Sequence, residues 1–273
     1  MPSRIYDPAA ARAFFESAGK RETVPAGTQF FAKDDKSNRI LLQRDKMYLL
    51  LDGEVMLASG DQTIGTVARG EIFGEMAAIS HTPRSASAIA RTACTVVGLD
   101  DKQFRNALAR HPAFALMLMS FMIGRLRDTI TRLRTKGALE HREVLEESAA
   151  IEPKRLAELT SRLSDDPPVY FDRRKPIVQE GQAGMRMYVV LEGTVVVSIE
   201  SNVVERLGPG GVFGELALVE QAPRLASVSA ETDCSLLPIN RAAFLALVES
   251  SPEFAASLLN ALAERLRRLT SRL

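Results

Sequence analysis

The chain contains an internal repeat, and this repeat limits its fold more than any other feature. At an offset of 140 residues, Met47–Leu133 aligns without a gap onto Met187–Leu273, and about 27 of the 87 pairs are identical. The identical pairs include Phe73-Gly74-Glu75 with Phe213-Gly214-Glu215, and Pro83-Arg84 with Pro223-Arg224. A period this long exceeds that of solenoid repeats. The sequence therefore predicts two copies of one module.

Length and charge agree with this organisation. The 273 residues leave room for about two domains, and 35 basic against 34 acidic residues give a formal net charge of +1. Because a dedicated nucleic-acid binder needs a basic excess, we expect no nucleic-acid partner. The longest apolar run, Phe114–Ile123, is about half the ~20 residues of a membrane span. We therefore expect a cytoplasmic protein without membrane association.

Each copy reads as a helix, several short strands separated by glycines, and a further helix. Four strands are predicted in the first copy, at Met47–Leu51, Val55–Ala58, Thr63–Val67 and Thr95–Leu99. Helices are predicted to begin near Asp7-Pro8, His111-Pro112, Glu152-Pro153 and Ser251-Pro252. This pattern indicates a mainly β fold of the α+β class, a barrel or sandwich flanked by helices.

Domain boundaries follow from the repeat. We predict a first domain over residues 1–136, a helical linker over 137–151 and a second domain over 152–273. The first copy has about six or seven extra residues near Asp34–Arg44, which we interpret as a longer hairpin loop.

The segment richest in chemistry occurs in both copies, as Phe73–Ser87 and Phe213–Ser227. Glycine followed by glutamate and a short apolar run predicts a turn that opens one helical turn, whose free N–H groups suit an anion such as a phosphate. An arginine nine residues after the glutamate can neutralise that anion with two parallel hydrogen bonds. The glutamate would repel a phosphate, so hydrogen bonding to a sugar hydroxyl is a more suitable role for it.

A simpler alternative is that each glutamate and arginine form a surface ion pair, worth about 0–1 kcal/mol. The spacing is the same in both copies, with the same flanking glycine, proline and small residues. This repetition favours a binding site.

At these residues the sequence resembles the cyclic nucleotide-binding domain family, which includes the catabolite activator protein, regulatory subunits of cyclic-nucleotide-dependent kinases and gated channels. The family's phosphate-binding cassette, Phe-Gly-Glu-apolar-Ala-apolar followed by Pro-Arg-x-Ala-Ser/Thr, is matched by both copies. The resemblance covers nearly the whole chain and implies two jelly-roll β-barrels, each flanked by helices. It implies cAMP, cGMP or both as ligands.

The resemblance also implies roles for individual residues. Glu75 and Glu215 are expected to bind the ribose 2′-hydroxyl, and Arg84 and Arg224 the cyclic phosphate. Backbone N–H groups are expected to assist in the turns that begin at glycine, at Gly74, Met76 and Ala77 in the first site and at Gly214, Leu216 and Ala217 in the second.

The two copies differ after the arginine. Ser85 offers a hydroxyl that could bind the phosphate or a guanine amino group, whereas Leu225 offers only its backbone. We therefore expect the second site to disfavour cGMP, with the first site open to either nucleotide. Thr129 lies four residues after Arg125, where the catabolite activator contacts adenine; base contact and simple exposure on the helix are both open alternatives.

An apolar stripe runs along the helix that follows the first barrel, through Met119, Met122, Ile123, Leu126, Ile130 and Leu133. It either packs on its own barrel or forms a homodimer seam between two copies of this helix. Cys94 and Cys234 occupy equivalent strand-end positions, which favours packing over redox chemistry. The three histidines show no metal-ligand spacing, and we expect no metal and no catalytic cofactor.

Three functions are weighed. The first is a tandem cyclic nucleotide sensor that regulates an unidentified protein effector through movement of its helices. The second is a partner-binding or scaffold module that keeps the barrel without using a nucleotide. The third, a DNA-binding regulator, lacks a helix-turn-helix after the second copy. The sequence favours the first, and because no nucleophile and base occur together, we expect no enzymatic activity.

Overall fold

The computed structural model describes residues 6–35, 45–140, 147–163 and 167–272. Contacts divide the chain into two compact units, Tyr6–Leu118 and Met119–Leu273. Most of the expected longer loop, at 36–44, lies outside the described residues, as do 141–146 of the expected linker.

The first unit is a barrel of short strands with helices at its ends. Its elements are α1 (Pro8–Ala18), β1 (Lys20–Val24), β2 (Gln29–Phe31), β3 (Lys46–Asp52), β4 (Val55–Ser59), β5 (Gln62–Val67), β6 (Ile72–Phe73), α2 (Glu75–Ser80), β7 (Ser87–Ala90), β8 (Cys94–Asp100) and α3 (Asp101–Arg110). The strands form two antiparallel sheets with the orders β1-β8-β3-β6 and β2-β7-β4-β5.

Alternation along β3 explains how the first barrel is filled. Tyr48 and Leu50 join the apolar cluster between the sheets. Met47 and Leu49 point to the other face and are also buried, because α1 and α3 pack on this sheet. A strand buried on both faces reads as a continuous apolar run.

The second unit repeats this architecture. Its elements are β9 (Glu147–Ser148), α5 (Pro153–Arg162), β10 (Val169–Phe171), β11 (Pro176–Val178), β12 (Arg186–Glu192), β13 (Val195–Ile199), β14 (Asn202–Leu207), β15 (Val212–Phe213), α6 (Glu215–Glu220), β16 (Ser227–Ala230), β17 (Cys234–Asn240), α7 (Arg241–Ser250) and α8 (Pro252–Thr270). The sheet orders are β10-β17-β12-β15 and β11-β16-β13-β14-β9. The predicted fold class is confirmed, as are the four helix starts.

Within the described part of the predicted helical linker, two residues form a short strand. Glu147 and Ser148 form β9, which pairs in parallel with Arg206 and Leu207 of β14. The Thr194 hydroxyl donates a hydrogen bond to the Glu147 carboxylate at 2.9 Å, and this contact further ties the strand to the barrel. The second copy therefore has a five-stranded sheet where the first copy has four strands.

A long helix, α4 (Ala113–Lys136), joins the two units. Its residues from Met119 onward group with the second unit, whereas the boundary predicted from the repeat lies at residue 136. All six residues of the apolar stripe are at most 4% exposed within one chain. Within one chain the stripe is therefore buried, but it groups with the second unit and not, as one alternative had expected, with its own barrel.

Cys94 and Cys234 are buried free thiols. No single helix in the described part of the chain is long and apolar enough to cross a membrane, although two sharply bent helix pairs, α3 with α4 and α7 with α8, meet the same test by length and composition together. Within the described ranges, no group of three or more His, Cys, Asp or Glu residues is arranged to hold a metal ion.

The start of α3 provides a test of the fold. Asp100 accepts a hydrogen bond from the Gln103 backbone at 2.8 Å, and the Gln103 side chain accepts one from the Asp100 backbone at 2.9 Å. Replacing Asp100 by Ala should lower the free energy of unfolding by about 1 kcal/mol, because this reciprocal cap is lost. Chemical denaturation measures the change, and Lys102→Ala, an exposed change on the same helix, should have almost no effect. Equal stabilities of the Asp100→Ala variant and the unaltered protein would contradict this account.

Candidate functional site

In the second copy, the turn at Gly214 brings the predicted binding residues together. Gly214 has a φ of +86° and begins the short helix α6 with no side-chain cap. A Cβ atom on Gly214 would lie 2.5 Å from Nη1 of Arg224, and one on Gly184 would overlap the same guanidinium. Only glycine permits both the backbone conformation and this close approach.

Two backbone carbonyl groups fix the Arg224 side chain. Its guanidinium donates to the carbonyl oxygens of Gly214 at 2.7 Å and Arg186 at 2.6 Å. Burial lowers the pKa of Arg224, while nearby Tyr188 and Glu215 act in the opposite direction. An arginine remains charged under these conditions and carries five N–H donors in all. The held guanidinium is therefore a suitable partner for an anion.

Glu215, the first residue of α6, is 1% exposed. One carboxylate oxygen, Oε1, contacts Nη1 of Arg265. The other, Oε2, is buried without a hydrogen-bond partner in the structure. A buried acceptor left without a partner costs roughly 1–3 kcal/mol. A hydroxyl donor that entered this site would remove that penalty.

A pocket lies between these groups. Most of its wall is apolar, from Val178, Val197, Ile199, Val204, Phe213, Leu216, Ala217, Leu225, Ala226, Val228, Leu269, Leu126 and Ile130. The charged groups in its wall are Glu205, Glu215, Arg224, Arg265 and Arg268. Three positive against two negative side chains favour an anionic ligand. This mainly apolar wall with a few charged groups is typical of a small-molecule site.

A buried ion cluster joins α8 to the barrel beside this cavity. Arg265 donates from Nε to Glu205 on β14 at 2.7 Å and also contacts Glu215. Arg268 contacts the other Glu205 oxygen, which also accepts a hydrogen bond from the Ser148 hydroxyl at 3.0 Å. Burial alone would raise the pKa of Glu205, but the two arginines and these hydrogen bonds hold it below its usual value. The pKa of Arg265 is raised, since Glu205 and Glu215 outweigh its burial.

The first copy builds the same turn. Gly74 has a φ of +73° and begins α2. Glu75 is 1% exposed, and Arg84 donates to the carbonyl oxygens of Gly74 at 2.8 Å and Lys46 at 2.9 Å. The backbone atoms that hold the arginine are therefore equivalent in the two copies.

The surroundings of the first arginine are different. Nη2 of Arg84 lies 3.4 Å from a carboxylate oxygen of Asp45, and its Cζ lies 4.1 Å from the centre of the Phe31 ring. Burial lowers the pKa of Arg84, and Asp45 counteracts that shift. In the second copy Met185, an exposed residue, occupies the position of Asp45. The first site therefore has an internal anion beside its arginine.

The remaining predicted residues fall as follows. Leu216, Ala217 and Leu225 line the second cavity, while in the first copy Ala77 is buried, Met76 is half-buried and Ser85 is exposed. Thr129 is buried on the part of α4 that belongs to the second unit, whereas the other predicted residues of the first site belong to the first unit. The ligand roles of all these residues remain predictions.

Sequence reasoning missed part of the second site, namely Glu205, Arg265, Arg268, Leu126 and Ile130. The repeat did contain a signal for Arg265, because Arg125-Leu126-Arg127 and Arg265-Leu266-Arg267 are identical triplets. The repeat contained no signal for Glu205, because the equivalent residue in the first copy is Gly65.

Comparison with known proteins agrees with the repeat. The family model "Cyclic nucleotide-binding domain" matches twice, at residues 21–111 and 168–251. A CRP-like cAMP-activated global transcriptional regulator of Mycobacterium tuberculosis is 32% identical over 128 residues, which are 45% of this chain and 56% of the relative. A cAMP-dependent protein kinase regulatory subunit of Eremothecium gossypii is 26% identical over 217 residues, 78% of this chain and 43% of the relative. The chain thus spans about half the length of these relatives.

Two solved structures are similar to most of the chain. The regulatory domain of Toxoplasma gondii PKA with cAMP is 21% identical, covers 87% of this chain and 83% of its own, and has a TM-score of 0.32. The regulatory subunit of a cAMP-independent protein kinase A from Trypanosoma brucei is 20% identical, with coverages of 91% and 78% and a TM-score of 0.31.

The ion cluster predicts a pH dependence of stability. Because the pKa of Glu205 is lower in the folded state, its charged form stabilises the fold above the unfolded pKa of about 4.3, and this contribution is lost as pH falls through the folded pKa. Glu205→Gln should reduce the free energy of unfolding by about 3 kcal/mol at pH 7. The deficit should shrink below about pH 4.3.

Denaturant titrations between pH 7 and pH 3 measure this difference. Glu192→Gln, a change at an exposed carboxylate, is the matched control and should behave like the unaltered protein throughout. A deficit for Glu205→Gln that is the same at pH 7 and pH 3 would show that its charge does not stabilise the fold.

Proposed function

Because this chain belongs to the cyclic nucleotide-binding domain family, in two copies, we propose that it is a regulatory protein that senses cAMP or cGMP and passes the signal to a protein effector. The cavity of the second copy supports this proposal most directly. It combines a fixed guanidinium, Arg224, with a buried carboxylate oxygen, Oε2 of Glu215, that lacks a hydrogen-bond partner. A cyclic nucleotide supplies one phosphate anion and one free ribose hydroxyl, which suit these two groups.

The electrostatics support the same assignment. Arg224 can pair with the phosphate, and the free N–H groups at the start of α6 can donate to it. The ribose 2′-hydroxyl can donate to Glu215, which a phosphate could not approach favourably. The apolar remainder of the wall suits the faces of a purine. By their names, both curated relatives respond to cAMP. We propose binding and signalling as the activity, with no catalytic step.

A route to regulation follows from the ion cluster. Arg265 of α8 contacts Glu215, the residue assigned to the ribose. A hydroxyl bound to Glu215 would change how that carboxylate pairs with Arg265, and α8 carries Arg265. Occupation of the cavity would therefore shift the position of α8 and so change the surface that is available to an effector protein. We place this sensor in the cytoplasm.

The first copy favours a second candidate function for that half of the chain. Arg84 is 6% exposed and already faces Asp45, which is 7% exposed. An arginine neutralised in this way suits a barrel that binds a protein partner without a nucleotide. Counting bound nucleotides distinguishes the two functions, since a sensor at both sites binds two per chain.

Removing either arginine tests the assignment. Calorimetric titration of the nucleotide-free protein with cAMP should show two bound molecules per chain, and Arg84→Ala and Arg224→Ala should each remove one. The affinity at the altered site should fall by about 100-fold, because a charged pair with two hydrogen bonds is lost. Arg224→Lys keeps the charge but not the forked geometry. Its affinity should therefore lie between those of the unaltered protein and Arg224→Ala.

The first barrel, which contains Arg84, also offers a control variant. Arg91, which forms an exposed ion pair with Glu54, should be replaceable by Ala without any change in nucleotide binding. Unaltered affinity in both Arg84→Ala and Arg224→Ala would overturn the assignment of the two sites.

Nucleotide preference at the second site can be tested separately. In an Arg84→Ala background, which leaves the second site, cAMP should bind more tightly than cGMP. Leu225→Ser adds a hydroxyl to the cavity wall and should raise the affinity for cGMP by roughly tenfold, the value of one further hydrogen bond. Competition titration measures the ratio, and an unchanged ratio would show that this position does not set the preference.

A further inference from the structure

The wall of the second cavity includes two residues from outside the second repeat. Leu126 and Ile130 lie on α4, the helix that follows the first barrel in the chain, and both line the cavity. They are four residues apart and so share one face of the helix. They are 4% and 3% exposed.

We propose that Leu126 and Ile130 are nucleobase-contacting residues of the second site, so that a helix of the first repeat completes the binding site of the second. This inference rests on the proposed function and extends it to residues that the cassette motif does not include. It makes the affinity of the second site depend on where α4 lies.

The distribution of charge in the cavity determines which part of a ligand meets α4. The polar groups suited to the phosphate and ribose, Arg224 and Glu215, come from the cassette itself. The residues contributed by α4 are both aliphatic. The base is the part of a cyclic nucleotide with large apolar faces, and its burial against aliphatic side chains removes apolar surface from water. The α4 face is therefore matched to the base.

Ion pairs hold α4 in place beside the cavity. Arg127 donates from Nε to Glu220 at 2.9 Å, and Glu220 is the last residue of the cassette helix α6. Arg134 contacts Glu180, and its Nε lies 3.1 Å from Glu200. Arg127 lies between Leu126 and Ile130 along the helix, and Arg134 lies one turn beyond Ile130. The two side chains are thus positioned by contacts with the cassette and the barrel.

The second repeat keeps only one of these two aliphatic residues at its own positions, since Leu126 corresponds to Leu266. The residue equivalent to Glu220 in the first copy is Ser80, and the one equivalent to Ile130 in the second copy is Thr270. A serine cannot form the ion pair that Glu220 makes. The pairing of α4 with a cassette helix is therefore specific to the second site.

Titration with cAMP in the Arg84→Ala background isolates the second site. Leu126→Ala and Ile130→Ala should each weaken binding by about tenfold or more, as expected for a lost wall contact in an apolar pocket. Leu133→Ala is the matched control, because Leu133 is equally buried on the same helix but does not line the cavity. It should leave the affinity of the folded protein unchanged. Affinities of Leu126→Ala and Ile130→Ala equal to that of the background would overturn the proposal.

A smaller substitution disturbs folding less and so tests the contact separately from stability. Ile130→Val removes one methylene and should weaken binding by roughly fourfold. Methyl NMR of the unaltered protein gives an independent readout, since a purine ring stacked on Ile130 shifts its methyl resonances. Ile123 is buried on the same helix but does not line the cavity. Its methyl resonances should not shift. Equal shifts for both residues would contradict direct contact with the base.

The outcomes separate the two levels of the proposal. Absence of any nucleotide binding in the Arg84→Ala background would overturn the proposed function of the second site. Normal binding there, with Leu126→Ala, Ile130→Ala and Ile130→Val unaffected, would leave that function standing and remove α4 from it.

Discussion

The second unit depends on one buried carboxylate, Glu205, and on the two arginines that neutralise it. Through this cluster the terminal helix α8, strand β14 and the cassette residue Glu215 are connected by charge-assisted hydrogen bonds. Removing one member leaves the others charged and buried, which is costly. The residue assigned to the ribose is therefore also part of the cluster that connects α8 to the barrel.

Duplication has conserved the backbone of the two sites and changed their electrostatics. Each arginine donates to two backbone carbonyls at equivalent positions of its own copy. One belongs to the cassette glycine and the other to the first residue of the third barrel strand. Around this shared frame, Gly65 replaces Glu205 and Asp45 replaces Met185 in the first copy. A small number of side chains thus gives two sites with the same backbone contacts to arginine a different charge.

The repeat, the barrel and the cassette residues could be predicted because each leaves a local signal of spacing or alternation. Glu205 leaves none, since a glutamate on a strand reads as a solvent-facing residue until its partners sixty residues away are known. The same limit applies to α4, whose apolar stripe predicts burial without naming the surface that covers it. Strand β9 was missed because two residues are too few to show a period, and their pairing depends on the exposed edge of β14.

The parallel pairing of β9 makes the join between the repeats a part of the second sheet. Without it, Arg206 and Leu207 at the end of β14 would have no strand partner on that side, and unpaired edges invite pairing with other chains. Its Ser148 hydroxyl also reaches Glu205. The connecting segment therefore contributes a strand to the module that follows it, and the second sheet extends beyond the repeated part of the sequence.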